Sequence, residues 1–353
     1  MDDLSAHRRP CGPVALAALG LGIAAATSVI RRRRGPVAAV APELRNPVLY
    51  LPVGVANERA LRAARRFLAR STPVVEGVTV HQVHVPNQSG PPVPVSWYQR
   101  DDRRRPSGAL LWIHGGGLVM GAPPQSHAWC SRVAAELDVL VANVDYRLAP
   151  EHPFPAGLDD CIAALAWLAA NAEELGIDPD RIAVGGDSAG GGLAAAVAQR
   201  VRDEGGPALC FQLLVYPMLD DRTVVRSQRE RLDALIWNAA SNRFAWTAYL
   251  GHPPSEAPER PYAAPARTED LRGLPPAWIG VGDIDLFHDE DVAYAHRLRE
   301  AAVACELHIE PGMYHGADAV MPDRAITAGF RTRMIDALRP VLTGATEPVE
   351  ADG

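Results

Sequence analysis

An α/β fold with a mostly parallel sheet follows from two patterns in the sequence. Short, nearly all-apolar runs alternate with helical segments from about residue 108 onward, as strands buried on both faces require. Ahead of them, "GVTVHQVHVP" and "PVPVSWYQR" alternate polar with apolar residues across the turn-forming "NQSGP", which predicts an antiparallel hairpin at the sheet edge.

The elements run in order. "NERALRAARRFLARS" has helical spacing and many good helix formers. After the hairpin, "GALLWIHGGG" precedes a helix near "SHAWCSRVAAEL", and "VLVANVDYR" precedes "GLDDCIAALAWLAANAEEL". "RIAVGGDSAGG" opens into "GLAAAVAQRVRDEG", "CFQLLVYP" follows, and "PAWIGVGD" leads to "EDVAYAHRLREAAV". "CELHIEPG" and a terminal helix around "RAITAGFRTRMIDALRPVL" complete the series. Residues 219–265 break the rhythm and are too long for a simple connection. They carry helical patches with Trp237, Phe244, Trp246 and Tyr249, then a proline-rich stretch, and read as an insertion over one end of the sheet.

The 353 residues, 48% hydrophobic and 22% charged, have an ordinary globular composition, and the net charge of −7 gives no reason to expect a nucleic-acid partner. Arg31–Arg34 and Arg103–Arg105 read as a solvated tether and a solvated loop. Cys11, Cys130, Cys161, Cys210 and Cys305 are odd in number, scattered, and form no CxxC. Neither a disulfide framework nor a zinc site is expected, and a reducing, cytoplasmic compartment is the simpler reading. Cys161 and Cys210 read as small core residues. "CGPVALAALGLGIAAATSVI", residues 11–30, is uncharged and long enough to span a bilayer. Only seven of its twenty residues are Val, Leu or Ile, and Leu16, Leu19, Ile23 and Ile30 share one helical stripe. A membrane anchor, an amphipathic packed helix and a disordered leader all stay open.

Chemistry enters at Gly186-Asp187-Ser188-Ala189-Gly190, a G-x-S-x-G between a strand and a helix. A serine lifted above the strand ends needs a sharp turn, with glycine two positions to either side. Gly191 and Gly192 let the following helix pack closely. "LLWIHGGGLVMG", Leu110–Gly121, fits the same chemistry. Acyl transfer needs backbone N–H groups aimed where charge develops on a carbonyl oxygen, and glycines bring amides close without side chains. The serine also needs a base and an acid to orient that base, expected in the order Ser, acid, His. His315 in "PGMYHGAD" sits on a loop after a strand, whereas His308 alternates within that strand and His296 lies in a helix. His252 belongs to the insertion. The acid should follow "PAWIGVG", where "DIDLFHDED" offers Asp283 and Asp285; Asp289, Glu290 and Asp291 read as the first turn of the next helix, where carboxylates suit the dipole.

"HGGG" at His114–Gly117, "YRLAPEHPFPAGLDD" at Tyr146–Asp160, "GDSAGG" at Gly186–Gly191 and "YAAPAR" at Tyr262–Arg267 occur in order. Together they resemble the hormone-sensitive-lipase-type carboxylesterases of the α/β-hydrolase fold, a resemblance covering roughly residues 45–340. The resemblance implies Ser188, Asp285 and His315 as catalytic residues, with Asp283 as the alternative acid. It implies Gly116, Gly117 and Ala189 as oxyanion amides, His114 as an orienting residue, and Asp145 and Glu151 as scaffold. "DLF" in place of the commoner "DPL" and "HGA" in place of "HGF" bear on the substrate pocket. The expected protein is then a leader (1–41), a hydrolase domain (42–345) with cap segments at about 43–75 and 219–265, and a tail (346–353). The expected substrates are carboxylic esters of short to medium acyl chains, with no cofactor and no metal. An amidase or formamidase on the same fold is the main alternative. A non-catalytic small-molecule binder is another, which the presence of His315 disfavours.

Overall fold

The computed structural model of the protein describes residues 31, 33–51, 53–68, 71–226 and 235–344. The proposed anchor segment 11–30 and the tail 346–353 lie outside them.

Eight strands form one sheet: β1 (Val78–Val85), β2 (Val93–Arg100), β3 (Ser107–Ile113), β4 (Leu140–Val144), β5 (Ile177–Asp187), β6 (Phe211–Val215), β7 (Ala277–Gly282) and β8 (Cys305–Glu310). Their order is β1-β2-β4-β3-β5-β6-β7-β8. The β1–β2 hairpin pairs antiparallel and joins β4 antiparallel, while every pairing from β4 to β8 is parallel. The principal helices are α1 (Glu58–Leu68), α2 (His127–Leu137), α3 (Ala156–Ala170), α4 (Ala189–Glu204), α5 (Ala239–Leu250), α6 (His288–Glu300) and α7 (Ala325–Thr343).

The period of two along each strand explains why the central strands are apolar throughout. In β3, Leu111 and Ile113 join the cluster built by α3, α4 and α6, while Leu110 and Trp112 join that of α2 and α7. Every residue of β3, β4, β6 and β7 is buried. β3 is flanked by β4 on one side and by β5 on the other, so the chain reverses its winding there. The crevice at the carboxyl ends of strands at such a reversal is where open α/β sheets bind ligands.

The N-terminal residues lie over that end of the sheet. Val37 and Val40, within the expected leader, are buried in the same cluster as Tyr314. Ala41 N–H donates to Gly312 O at 3.0 Å, Asn46 Nδ2 to the Tyr314 hydroxyl at 3.0 Å, and Val55 N–H to Ser241 Oγ at 2.8 Å. Among the described residues, no helix is long and apolar enough to cross a membrane.

The arginine run at 103–105 is not uniformly solvated. Arg104 and Arg105 are exposed, but Arg103 is buried, where its guanidinium reaches Ser107 Oγ and the carbonyls of Leu175 and Gly176. Five fixed donors on one planar group can satisfy a cluster of such acceptors. Cys161 is a core residue, whereas Cys210 is half-buried at the entry to β6.

Candidate active site

Ser188 follows β5 directly and precedes the first turn of α4. Its backbone, φ 55° and ψ −120°, is an uncommon conformation for a residue with a side chain. The turn is held from three sides. Ser188 N–H donates to Val215 O at 2.8 Å, and Ser188 O accepts from Gly192 N–H at 3.0 Å and Met218 N–H at 2.9 Å. A Cβ on Gly186 would lie 2.4 Å from Gly190 O and 2.5 Å from Ile113 O; one on Gly190 would lie 2.0 Å from Ile113 O. Both positions therefore demand glycine because backbone meets backbone. A Cβ on Gly192 would come within 2.2 Å of Met218 O, which accounts for the close packing of α4.

Asp285 and His315 arrive from the turns after β7 and β8. His315 Nε2 stands 2.9 Å from Ser188 Oγ, and His315 Nδ1 stands 2.8 Å from Asp285 Oδ2. A carboxylate only accepts, so Nδ1 carries the imidazole proton and Nε2 accepts from the serine hydroxyl. Exposure is 6% at Ser188, 7% at His315 and 2% at Asp285, so the chain of contacts leads inward from a narrow opening. Asp285 Oδ1 also accepts from Phe287 N–H at 2.9 Å, and the rings of Phe287 and Tyr216 meet the imidazole edge-on, with centroids at 5.1 and 4.8 Å. The alternative acid, Asp283, faces elsewhere: its Oδ1 accepts from Gly312 N–H at 2.7 Å and ties down the loop that carries His315.

The turn after β3 approaches from the other side. Gly116 and Gly117 have φ of +128° and +63°. Gly116 O accepts from Val119 N–H and Met120 N–H at 3.2 and 3.0 Å, and Gly115 N–H donates to Asp187 Oδ1 at 3.0 Å. No hydrogen bond from the amides of Gly116, Gly117 or Ala189 occurs among the described residues. His114 is buried, stacked on Tyr146 at 4.4 Å, and donates from Nδ1 to Gly115 O at 2.8 Å. Burial lowers its pKa to about 4, partly offset by that carbonyl, so it is neutral where most enzymes work. Asp187 is pushed up to about 6, first by burial and then by the charge of Asp318, against the opposing pull of Gly115 N–H and His315.

The remaining expected positions serve local contacts. Glu151 is clasped by both terminal nitrogens of Arg65 at 2.7 and 2.8 Å, and Asp145 is exposed. His308 Nε2 pairs with Glu310 Oε2 at 2.8 Å, His252 Nε2 with Glu259 Oε2 at 3.1 Å and His288 Nδ1 with Asp289 Oδ1 at 2.8 Å, while His296 is exposed on α6. Glu290 is buried and accepts from Leu219 N–H, Asp220 N–H and the Thr223 hydroxyl, fixing the start of the insertion. Among the described residues, no group of three His, Cys, Asp or Glu is arranged to hold a metal ion.

Sequence reasoning did not locate Trp237, whose ring lies against Gly117, nor the hold of Asp187 on Gly115. The glycine and aspartate are adjacent only across β3 and β5, so no local pattern announces the contact. A narrow crevice lies beside Ala189, the residue after the serine. It is lined by Ala189, Gly192, Leu193 and Ala196 on one stripe of α4, and by Leu118, Met218, Trp246, Tyr249 and Tyr262 among others.

The chain is similar to known hydrolases in sequence and in fold. A family model described as alpha/beta hydrolase fold matches residues 110–319. The esterase LipI of Mycobacterium tuberculosis is 37% identical over 286 residues, 81% of this chain and 89% of that protein. Carboxylesterase NlhH of the same organism is 44% identical over 210 residues, 59% of this chain and 65% of that protein. Among solved structures, a bacterial heroin esterase superposes with a TM-score of 0.80 at 38% identity, covering 87% of this chain and 99% of that one.

Proposed function

The chain belongs to the alpha/beta hydrolase fold family, and within it we propose a carboxylic ester hydrolase that works through an acyl-enzyme on Ser188. The serine oxygen attacks the ester carbonyl carbon while its proton passes to His315 Nε2. Asp285 holds the imidazole in the tautomer that receives it. The carbonyl oxygen, now negative, takes hydrogen bonds from the amides of Gly116, Gly117 and Ala189. Collapse breaks the bond to the alcohol oxygen, which leaves with the proton from His315. Water repeats the sequence: its proton goes to His315, its oxygen joins the acyl carbon, and the acid departs as Ser188 recovers its hydrogen.

One observation carries this reading: the unbroken line from Asp285 through His315 to Ser188, with contacts of 2.8 and 2.9 Å, at the rim of a glycine turn. We propose short to medium acyl chains as the acyl groups, lying toward the narrow crevice beside Ala189. That crevice is lined by Ala189, Gly192 and Ala196 from α4 and by Trp246, Tyr249 and Tyr262. The relatives named as esterases and carboxylesterases support the ester class. Ser188→Ala should lower turnover of p-nitrophenyl acetate by about a thousandfold or more. A variant that keeps a tenth of the parent rate, with contaminating hydrolases excluded by mass spectrometry, would end the proposal.

A further inference from the structure

We infer that Trp237 is a positioning residue for the glycine turn: its indole braces Gly117, so the direction of the Gly117 amide depends on a side chain supplied from the insertion. This rests on the reading that the Gly117 amide binds the ester oxygen.

The turn after β3 is secured unevenly. Gly115 is held three times, its N–H by Asp187 at 3.0 Å and its carbonyl by Gln125 Nε2 at 3.1 Å and His114 Nδ1 at 2.8 Å, and Gly116 O accepts from two amides. Gly117 takes part in no hydrogen bond among the described residues. Its φ of +63° is a conformation glycine enters and leaves freely, since glycine populates both signs of φ about equally. What lies on it is an aromatic ring. A Cβ placed on Gly117 would sit 2.3 Å from Trp237 Cη2 and 2.8 Å from Cζ2, so the six-membered ring rests directly against the alpha carbon.

The ring is itself fixed. Trp237 is 6% exposed, and its Nε1–H donates to Asn242 Oδ1 at 3.2 Å, one turn into α5. The next residue, Asn238, caps α5 by accepting from Ser241 N–H at 3.0 Å and reaches across to Val53 O at 3.3 Å. Ser241 Oγ in turn accepts from Val55 N–H. The brace thus has two footings, one in α5 and one in the N-terminal residues that cross the site.

A donor that strengthens as charge develops acts on the transition state more than on bound substrate. Loosening Gly117 should therefore lower kcat and leave KM nearly alone. With p-nitrophenyl acetate, Trp237→Ala should reduce kcat about tenfold or more, with KM changed less than about threefold. An aryl trifluoromethyl ketone, which adds to the serine as a tetrahedral hemiketal, should lose affinity in the same proportion. Trp237→Phe keeps a ring on Gly117 and should restore most of kcat, although it lacks the bond to Asn242. Circular dichroism and the melting temperature establish that each variant is folded. Should the alanine variant fail to fold, Trp237→Leu fills the space without a flat face and should show the same kcat loss. A kcat within twofold of the parent in the alanine or leucine variant would overturn the inference. So would a loss confined to KM, or a phenylalanine variant as impaired as alanine. Failure of the underlying reading looks different: the parent protein itself would not turn over the ester.

Discussion

The two glycine-rich turns that meet at the site are built on different principles. After β5, glycine is required because main chain touches main chain: Gly186 and Gly190 abut each other and the Ile113 carbonyl, and nothing there can yield. After β3 the surroundings are mixed: main chain, Met120 O, stands 2.0 Å from the position of a Gly116 Cβ, but side chains crowd the glycines on either side of it. Asp187 Oδ2 lies 2.4 Å from the position of a Gly115 Cβ, and Trp237 crowds Gly117. Both glycines flanking the serine are thus fixed by main chain, while in the amide turn only the central Gly116 is, and Gly115 and Gly117 rely on the side chains leaning on them.

The sharpest way to break this contrast is Gly190→Ala. Its new methyl would stand 2.0 Å from Ile113 O and 2.6 Å from His114 O, and neither can withdraw without dismantling β3 or the turn. A destabilisation of about 4 kcal/mol or more is expected, seen as loss of soluble protein and of ester turnover. A soluble variant melting like the parent would show that the serine turn has slack that sterics alone do not allow.

The next test uses acid, to which the two turns respond in opposite directions. His114 has a folded pKa of about 4, below its usual 6.5, so the unfolded chain binds the extra proton and stability is lost as pH falls from 6.5 toward 4. Asp187 has a folded pKa of about 6, above its usual 3.8, so here the folded chain binds the proton and stability is gained as pH falls from 6 toward 3.8. Each effect is on the order of 3 kcal/mol at full strength, and over that window they largely cancel. Asp187→Asn keeps an acceptor for Gly115 N–H but removes the titration. Urea denaturation should find it more stable than the parent at pH 7 and falling more steeply between pH 6.5 and 4. Parallel curves for the two proteins would refute the assignment.

The smallest expected effect comes from a glycine that serves shape alone. Gly316, next to His315, has φ +68°, and a methyl there would meet nothing within 4 Å. Gly316→Ala should cost about 1 kcal/mol, a melting shift of about 2–4 °C, with kcat within about twofold. A large kcat loss would mean that this glycine, too, takes part in presenting the imidazole.

What could be read in the sequence follows the same division. The alternating strands and helices and the edge hairpin were legible because each depends on residues near one another in the chain. The glycines flanking Ser188 were legible for the same reason. Asp285 is separable from Asp283 in the sequence only through the family resemblance, since the two share one short turn and differ in what they reach across it: Gly312 for Asp283, His315 for Asp285. Arg103 looks like its neighbours in a basic run, yet it points inward because four acceptors, including Gln99 Oε1, converge there. Trp237 was noticed as an aromatic in an irregular insertion, but its place over Gly117 depends on how residues 235–250 settle on the sheet, which no periodicity encodes.

The crossing of the N-terminal residues over the strand ends has a consequence for biosynthesis. Asn46 and its partner Tyr314 are 268 positions apart, so at roughly 5–20 residues per second the ribosome needs about 13–54 seconds to deliver the second after the first. Throughout that interval the cluster that buries Val37, Val40, Leu44 and Leu49 lacks its members from the C-terminal part of the chain, among them Tyr314, Phe330 and Leu338. Residues 37–49 are thus made early but reach their full set of partners only when the end of the chain has been delivered.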